Sequence, residues 1–402
     1  MFSPAATQPS PLQGPKVPPT GADPPFAIEL RGVSKRYKEP GSAVVDDLTL
    51  SIKQGDFVVF TGPSGCGKTT TLKMINRLIE PSSGQILLNG SDVSELPAHR
   101  LRQGIGYVIQ NVGLFPHMTI ADNVGAVPRL LGWKKDRTAA RVDELLAIVR
   151  LDPHLYRHRF PRELSGGQAQ RVGVARALAA DPPVLLMDEP FAAVDPITRT
   201  GLQDEFLRLQ ASLKKTIVFV THDMAEAMRL ADTVVVFGPN SKIAQIGSPT
   251  EVLASPADEF VSQMLGSGRL VQLLTCMKLR EVPMTSWPTV TVGAPEPQFA
   301  AAIALGRAQG RDRILVLDES NRPHSWLPLE GSGLGAAHDV ECSLELEATS
   351  LRDAVTRIVY CLHDCTVVVD SQKRYCGVVE LSSIRNVLRE AELSTIAATD
   401  EL

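Results

Sequence analysis

Residues 62–69 read GPSGCGKT, and no other stretch restricts the chain as tightly. The run before them, DFVVFT at 56–61, is apolar and rich in β-branched and aromatic residues, and it lies between Gly55 and Gly62. That composition predicts a buried strand. The run after them, TTTLKMINRLI at 69–79, holds good helix formers and apolar residues at Leu72, Ile75 and Ile79. Strand, glycine loop and helix form the context in which G-x-x-x-x-G-K-[ST] cradles phosphate. Gly62, Gly65 and Gly67 permit the tight turn, and with Ser64 and Cys66 they bring backbone N–H groups onto phosphate oxygens at the positive end of a helix, while Pro63, which has no N–H, completes the binding loop. Lys68 supplies a point charge for the β- and γ-phosphates, the Thr69 hydroxyl is a candidate Mg²⁺ ligand, and Thr70 carries the loop into the helix. Taken alone, the loop does not separate a transport ATPase from a GTPase or a small-molecule kinase.

A second apolar run, VLLM at 184–187, ends in Asp188 and Glu189, with Pro182 and Pro183 before it and Pro190 after. It reads as a strand buried on both faces, with two carboxylates at its carboxyl end, where open α/β sheets place their ligands. Asp188 is assigned to Mg²⁺, directly or through water, and Glu189 to the general base that orients or deprotonates the attacking water. The run TIVFV at 216–220 ends in Thr221-His222-Asp223, which sends His222 to the same sheet edge as a candidate partner for a γ-phosphate. LSGGQ at 164–168 leads into AQRVGVARALAA, whose Val172, Ala175 and Leu178 fall on one helical face. Ser165 or a neighbouring residue is a candidate N-cap, and Gly166 and Gly167 leave N–H groups free at a helix start, giving a second anion site.

With these residues in hand, the chain resembles the ATPase subunit of an ATP-binding cassette (ABC) transporter over residues 26–265. The resemblance implies an α/β fold of the P-loop NTPase type, with a mixed sheet core and a helical subdomain. It implies ATP and Mg²⁺ as cofactors, and a head-to-tail homodimer in which Ser165, Gly166, Gly167 and Gln168 of one copy close on the nucleotide of the other. It further places Tyr37 against adenine, Gln110, also a candidate metal ligand, at the loop that senses the γ-phosphate and contacts the membrane subunits, and Asp195 at the loop that crosses the dimer interface. The stretches at 69–81, 108–120, 177–191 and 195–199 resemble the ATPases of osmoprotectant importers, which take up glycine betaine, choline, carnitine and related quaternary amines. Ala192-Ala193-Val194-Asp195 departs from the usual Gly-Ala-Leu-Asp of those importers. Partners implied are integral membrane permease subunits and a solute-binding protein.

At 402 residues the chain suits two domains and a tail. Its net charge of −4 comes from well-mixed acidic and basic residues, without the polybasic block of a nucleic-acid binder. No apolar run approaches the ~20 residues that span a bilayer, and no signal-peptide layout opens the chain. The expected location is therefore the cytoplasm, peripheral on the inner face of the membrane through the permease. Six cysteines show no disulfide or zinc spacing; the stretch from Cys361 through His363 to Cys365 is the best metal candidate among them, but both cysteines sit beside apolar residues and read as core fillers.

The proline-rich stretch 1–25 reads as a disordered tail, 266–274 as a linker with a Gly266-Ser267-Gly268 hinge, and 396–402 as a tail. Between these tails, 275–395 contains an internal repeat of helix, strand, turn and strand, with Asp318 and Asp370 at equivalent places 52 residues apart. The repeat resembles a degenerate α+β tandem of cystathionine-β-synthase-type (CBS) regulatory modules. Glu380 and Ser383 stand where nucleotide-holding members carry a hydroxyl and a ribose-binding carboxylate, so a tethering or dimerising domain and a sensor both remain open.

Overall fold

A computed structural model describes residues 26–37, 43–110, 113–192, 194–329, 338–340, 343–361 and 364–389. The proline-rich stretch 1–25, Ala193, Cys342, His363 and the tail 396–402 lie outside the described residues. The chain divides into two compact units with interleaved sequence: one runs to Asp56 and continues over Thr70–Ile217, the other takes Phe57–Thr69 and everything from Val218 onward.

In the first unit, strands Phe26–Lys35, Val45–Lys53, Ser83–Leu88 and Ser91–Asp92 form an antiparallel sheet, ordered second, first, third, fourth. Val45, Leu48, Leu50 and Ile52 are buried between more exposed neighbours, the alternation of a sheet with one wet face. Ile105–Val108 pairs in parallel with Val184–Asp188, and all five residues of the latter strand are buried, as the unbroken apolar run predicts. The Gly166–Leu178 helix buries Val172, Ala175 and Leu178 and packs on the Ile120–Val124 and Lys135–Ile148 helices. The Ile120–Val124 and Lys135–Ile148 helices fall within residues 110–161, the stretch expected to form the helical subdomain, and the Gly166–Leu178 helix lies beyond it.

In the second unit, Phe57–Thr61 runs parallel to Thr233–Phe237, and Ile243–Gly247 closes antiparallel on the far side of the latter. On its other side Phe57–Thr61 neighbours the Val218–Val220 end of the Thr216–Val220 strand, and the Thr221 N–H donates to the Phe60 carbonyl at 3.1 Å. The repeat is plain in the backbone. Strand Thr289–Thr291, helix Glu296–Ala308, and strands Arg313–Leu317 and Pro323–Pro328 are followed by Ser343–Glu345, Leu351–Tyr360, Cys365–Val369 and Tyr375–Glu380. In each copy the first strand is parallel to the second and the third antiparallel to it.

Even the turns match. Asp318 Oδ1 accepts from the N–H groups of Ser320 and Arg322, and Asp370 Oδ1 from those of Gln372 and Arg374, all at 2.8 Å. Asn321 (φ +61°) and Lys373 (φ +65°) take the left-handed position in each turn. Leu315, Leu317, Val367, Val369 and Val378 share one core with Trp287 and Trp326, whose rings meet edge-on at 5.1 Å.

The stretch expected as a linker carries a helix, Arg269–Cys276, packed on helices Met224–Leu230, Pro249–Ala254 and Leu351–Tyr360. Gly266 (φ +65°) caps the preceding helix, and the Arg269 guanidinium donates to the carbonyls of Leu253 and Ala254. Cys276 donates to the Met228 carbonyl at 3.4 Å, and burial pushes its thiol up to about 11. Leu315 is fully buried in the core of the repeats. Leu315→Ala is expected to cost about 2–5 kcal/mol, read in urea as an earlier loss of the buried-tryptophan fluorescence of Trp287 and Trp326.

Candidate functional site

The loop at 62–68 folds around its own lysine. Lys68 is 6% exposed, and its Nζ donates to the carbonyls of Gly62 at 2.7 Å and Pro63 at 2.8 Å and contacts Cys66 Sγ at 3.4 Å. A buried ammonium needs such acceptors, since desolvation without them costs several kcal/mol. Gly62 makes the wrap possible: its φ is +145°, and an added Cβ would stand 2.4 Å from the Phe237 carbonyl oxygen. Gly65 (φ +82°) faces open space, while Pro63, Ser64 and Gly65 form the exposed tip. The Ser241 hydroxyl donates to the Cys66 carbonyl and fixes the inner side of the loop. Thr69 and Thr70 then enter the Lys68–Ile75 helix, half-buried.

In the same unit His222 is exposed at the end of the Thr216–Val220 strand. The residues around it are pinned: the Asp223 N–H donates to the Thr221 hydroxyl at 3.0 Å, and the Asp223 carboxylate accepts from the N–H groups of Ala225 and Glu226. Asp223 thereby caps the Met224–Leu230 helix.

In the other unit Asp188, 5% exposed, ends its strand, and Glu189 turns the chain. Glu189 has φ +46°, a left-handed conformation rare for any residue with a side chain and opposed to the extended backbone usual before proline. Such strain persists only where the surroundings fix it. Gln110 Nε2 donates to Glu189 Oε2 at 3.0 Å, bringing two sequence-assigned residues together.

Tyr107 escaped the sequence reading. Its register partner is Leu186, two residues before Asp188, so it shares a sheet face with that carboxylate. Its hydroxyl is buried and makes no hydrogen bond among the described residues. Burial first, and then the negative charge of Asp188, push the phenol up to about 12. A tyrosine one turn of pleat from an acidic strand end gave no sequence signal of its own. Ser241 was missed for a similar reason, lying 175 residues from the carbonyl it holds.

Ser165 is the N-cap of the Gly166–Leu178 helix. Its Oγ accepts from the Gln168 N–H at 3.3 Å, while Gln168 Oε1 accepts from the Ser165 N–H at 3.0 Å, a reciprocal capping box. Gln168 Nε2 donates to the Tyr156 hydroxyl at 3.1 Å. Asp195 caps the Pro196–Leu213 helix, accepting from the Thr198 N–H at 3.0 Å. Tyr37 is 53% exposed, with Lys35 Nζ 5.3 Å from its ring centroid. Among the described residues no helix is long and apolar enough to cross a membrane.

Residues 45–192 match the family model described as ABC transporter. The chain is 45% identical over 372 residues to the glycine betaine/carnitine/choline transport ATP-binding protein OpuCA of Bacillus subtilis, covering 90% of this chain and 97% of that one. It is 50% identical over 298 residues to the glycine betaine uptake system ATP-binding protein YehX of Escherichia coli, covering 74% and 96%. Among solved structures it is similar to the dimeric structure of MJ0796, a bacterial ABC transporter cassette, with TM-score 0.51, 31% identity and coverage of 55% of this chain and 98% of that one. The same coverage and TM-score hold for that cassette in a post-hydrolysis state bound to ADP and Pi. The chain belongs to the ABC transporter family, among its transport ATP-binding proteins.

Gly62→Ala and Gly65→Ala separate crowding from backbone strain. Both force a positive φ, costing about 1–3 kcal/mol, but only Gly62→Ala also drives a Cβ into the Phe237 carbonyl. Thermal unfolding is expected to show the larger loss for Gly62→Ala.

Proposed function

We propose that the chain is the ATP-hydrolysing subunit of an importer for quaternary-amine osmoprotectants, the class of glycine betaine, choline and carnitine. The observation that carries this reading is the 45% identity to a glycine betaine/carnitine/choline transport ATP-binding protein along 90% of the chain, through the repeat as well as the motifs. In this reading two copies join head to tail, Ser165–Gln168 of one copy meeting the nucleotide held at 62–69 of the other. The dimeric cassette of the solved relative supports it. Permease subunits anchor the pair to the cytoplasmic face of the membrane, and a solute-binding protein delivers the cargo. Residues 26–265 form the ATPase, 266–274 join it to the rest, and 275–395 form a CBS-type module.

The residues divide the work as follows. Tyr37 stacks on adenine. The 62–67 backbone and Lys68 hold the phosphates, and the loop is already wound for that task around the lysine. Thr69, Asp188 and Gln110 offer hydroxyl, carboxylate and amide oxygens, the hard donors that suit Mg²⁺. Among the described residues no group of three or more His, Cys, Asp or Glu forms a metal cage, which fits an ion held largely by substrate phosphates and water. When bound, the ion neutralises charge on the β- and γ-phosphate oxygens.

Glu189, positioned through Gln110, accepts the proton of the attacking water, and His222 hydrogen-bonds the γ-phosphate. Asp195 sets the loop that faces the second copy. Hydrolysis then releases the dimer and resets the permease.

Glu189→Gln is expected to keep ATP binding while slowing turnover by roughly 10²–10⁴, and to accumulate an ATP-bound dimer in size-exclusion chromatography; near-normal turnover would remove Glu189 from its role. Lys68→Ala is expected to abolish tight nucleotide binding in titration with a fluorescent ATP analogue, and unchanged affinity would refute the cradle. Uptake of labelled betaine, choline and carnitine in a deletion strain ranks the cargo, and uptake unaffected for all of them would reject the substrate class.

A further inference from the structure

A cleft of about 370 Å³ opens in the repeat region, lined by Trp287, Arg311, Asp312, Arg313, Asp364, Cys365 and Glu380. Asp312 and Asp364 stand at equivalent places in the two copies, each just before the central strand of its repeat. By formal charge three carboxylates face two guanidinium groups. The Cys365 thiol, pushed up to about 11 chiefly by burial, adds no charge. The lining is thus one unit negative.

Arg311 shows what chemistry the cleft favours. Its guanidinium lies 4.6 Å from the Trp287 ring centroid and donates to Glu380 Oε1 at 2.6 Å, and the Trp287 indole N–H donates to the same oxygen at 3.4 Å. An aromatic face and a carboxylate converge on one delocalised cation, the arrangement that recognises organic cations. The fit is imperfect. Arg311 Nε is buried and has no acceptor, and a buried unmade hydrogen bond is costly. Arg311 is therefore a resident that another cation can replace.

The alternatives are disfavoured by the same residues. A polyphosphate would meet three carboxylates, with Arg311 engaged by Glu380 and Arg313 by Asp312. A metal ion would need a cluster of ligands that the described residues do not form. Asp364, exposed at the cleft, has no side-chain hydrogen bond or ion pair among the described residues and adds to the negative charge that a cation meets there.

We propose that this cleft binds a compact organic monocation, which displaces the Arg311 side chain and takes its place between Trp287 and Glu380. The ligand replaces the charge that Arg311 brought, leaving the lining one unit negative as before, and needs no hydrogen bond from the site, so a quaternary ammonium is accommodated as readily as a guanidinium. Displaced Arg311 swings to solvent, and the contact it makes between the end of the Tyr375–Glu380 strand and the start of the Arg313–Leu317 strand is lost. This assignment goes beyond the transport reading and does not depend on which solute the importer carries.

The test is isothermal titration of the full-length protein with tetramethylammonium and with guanidinium, at fixed ionic strength against sodium chloride. Saturable binding is expected in the wild-type chain. Glu380→Gln is expected to weaken it at least tenfold, and Arg311→Ala, which removes the internal competitor, to tighten it severalfold. Opposite shifts from the two partners of one ion pair are not what a merely structural pair would give. Circular dichroism checks that both variants fold, and if Glu380→Gln does not, the direction of the Arg311→Ala shift decides. No saturation beyond the sodium control, equal affinity in all three proteins, weaker binding in Arg311→Ala, or displacement of the cation by ATP in a manner sensitive to Glu380 would each overturn the proposal.

Discussion

A single ammonium group sets the terms for the phosphate loop. Lys68 is almost fully withdrawn from water, so its charge must be met by atoms of the loop itself, and the carbonyls of Gly62 and Pro63 meet it. That wrap requires a backbone at Gly62 which only glycine tolerates against the Phe237 carbonyl, and it requires the Cys66 carbonyl to be held by Ser241. The loop is eight residues of sequence, but its shape is specified by a strand end and a turn some 170 residues further on. Its positive end is therefore organised before any anion arrives, and little reorganisation is left to oppose binding.

Much of this was legible in the sequence because its local signals agree. The runs at 184–187 and 216–220 are short and apolar, and each is a strand within a residue of its expected bounds. The LSGGQ stretch announced its helix, and Ser165 caps it. What remained hidden depends on tertiary pairing. The left-handed Glu189 runs against the local rule for a residue before proline, so nothing in its neighbours predicted it. Tyr107 matters only because strand register sets it on the face of Asp188. The glycine-rich 266–268 stretch looks like a hinge, but the amphipathic sequence after it forms a helix that packs on three others, and packing overrode the loop signal.

The repeats show the same division between local and distant causes. Asp318 and Asp370 form equivalent turns because an aspartate can satisfy the N–H groups that follow it, whatever the surroundings. Trp287 belongs to neither turn and precedes the first repeat strand, yet it joins the core with residues from both copies and lies beneath Arg311. Sequence periodicity reveals the copies. It does not reveal the tryptophan that lies between them and gives their shared cleft its chemistry.

The interleaving of the two units has a consequence for biosynthesis. Phe57–Thr61 pairs with Thr233–Phe237, but Thr70–Ile217 is made in between. At about 5–20 residues per second that interval is roughly 7–30 s. Throughout it, a strand that ends fully buried, followed by a glycine turn, waits on the ribosome with its edge unfilled, while the first unit can already collapse. The phosphate-loop segment thus waits for neighbours made long after it, and the nascent protein has reason to depend on a holding chaperone during those seconds.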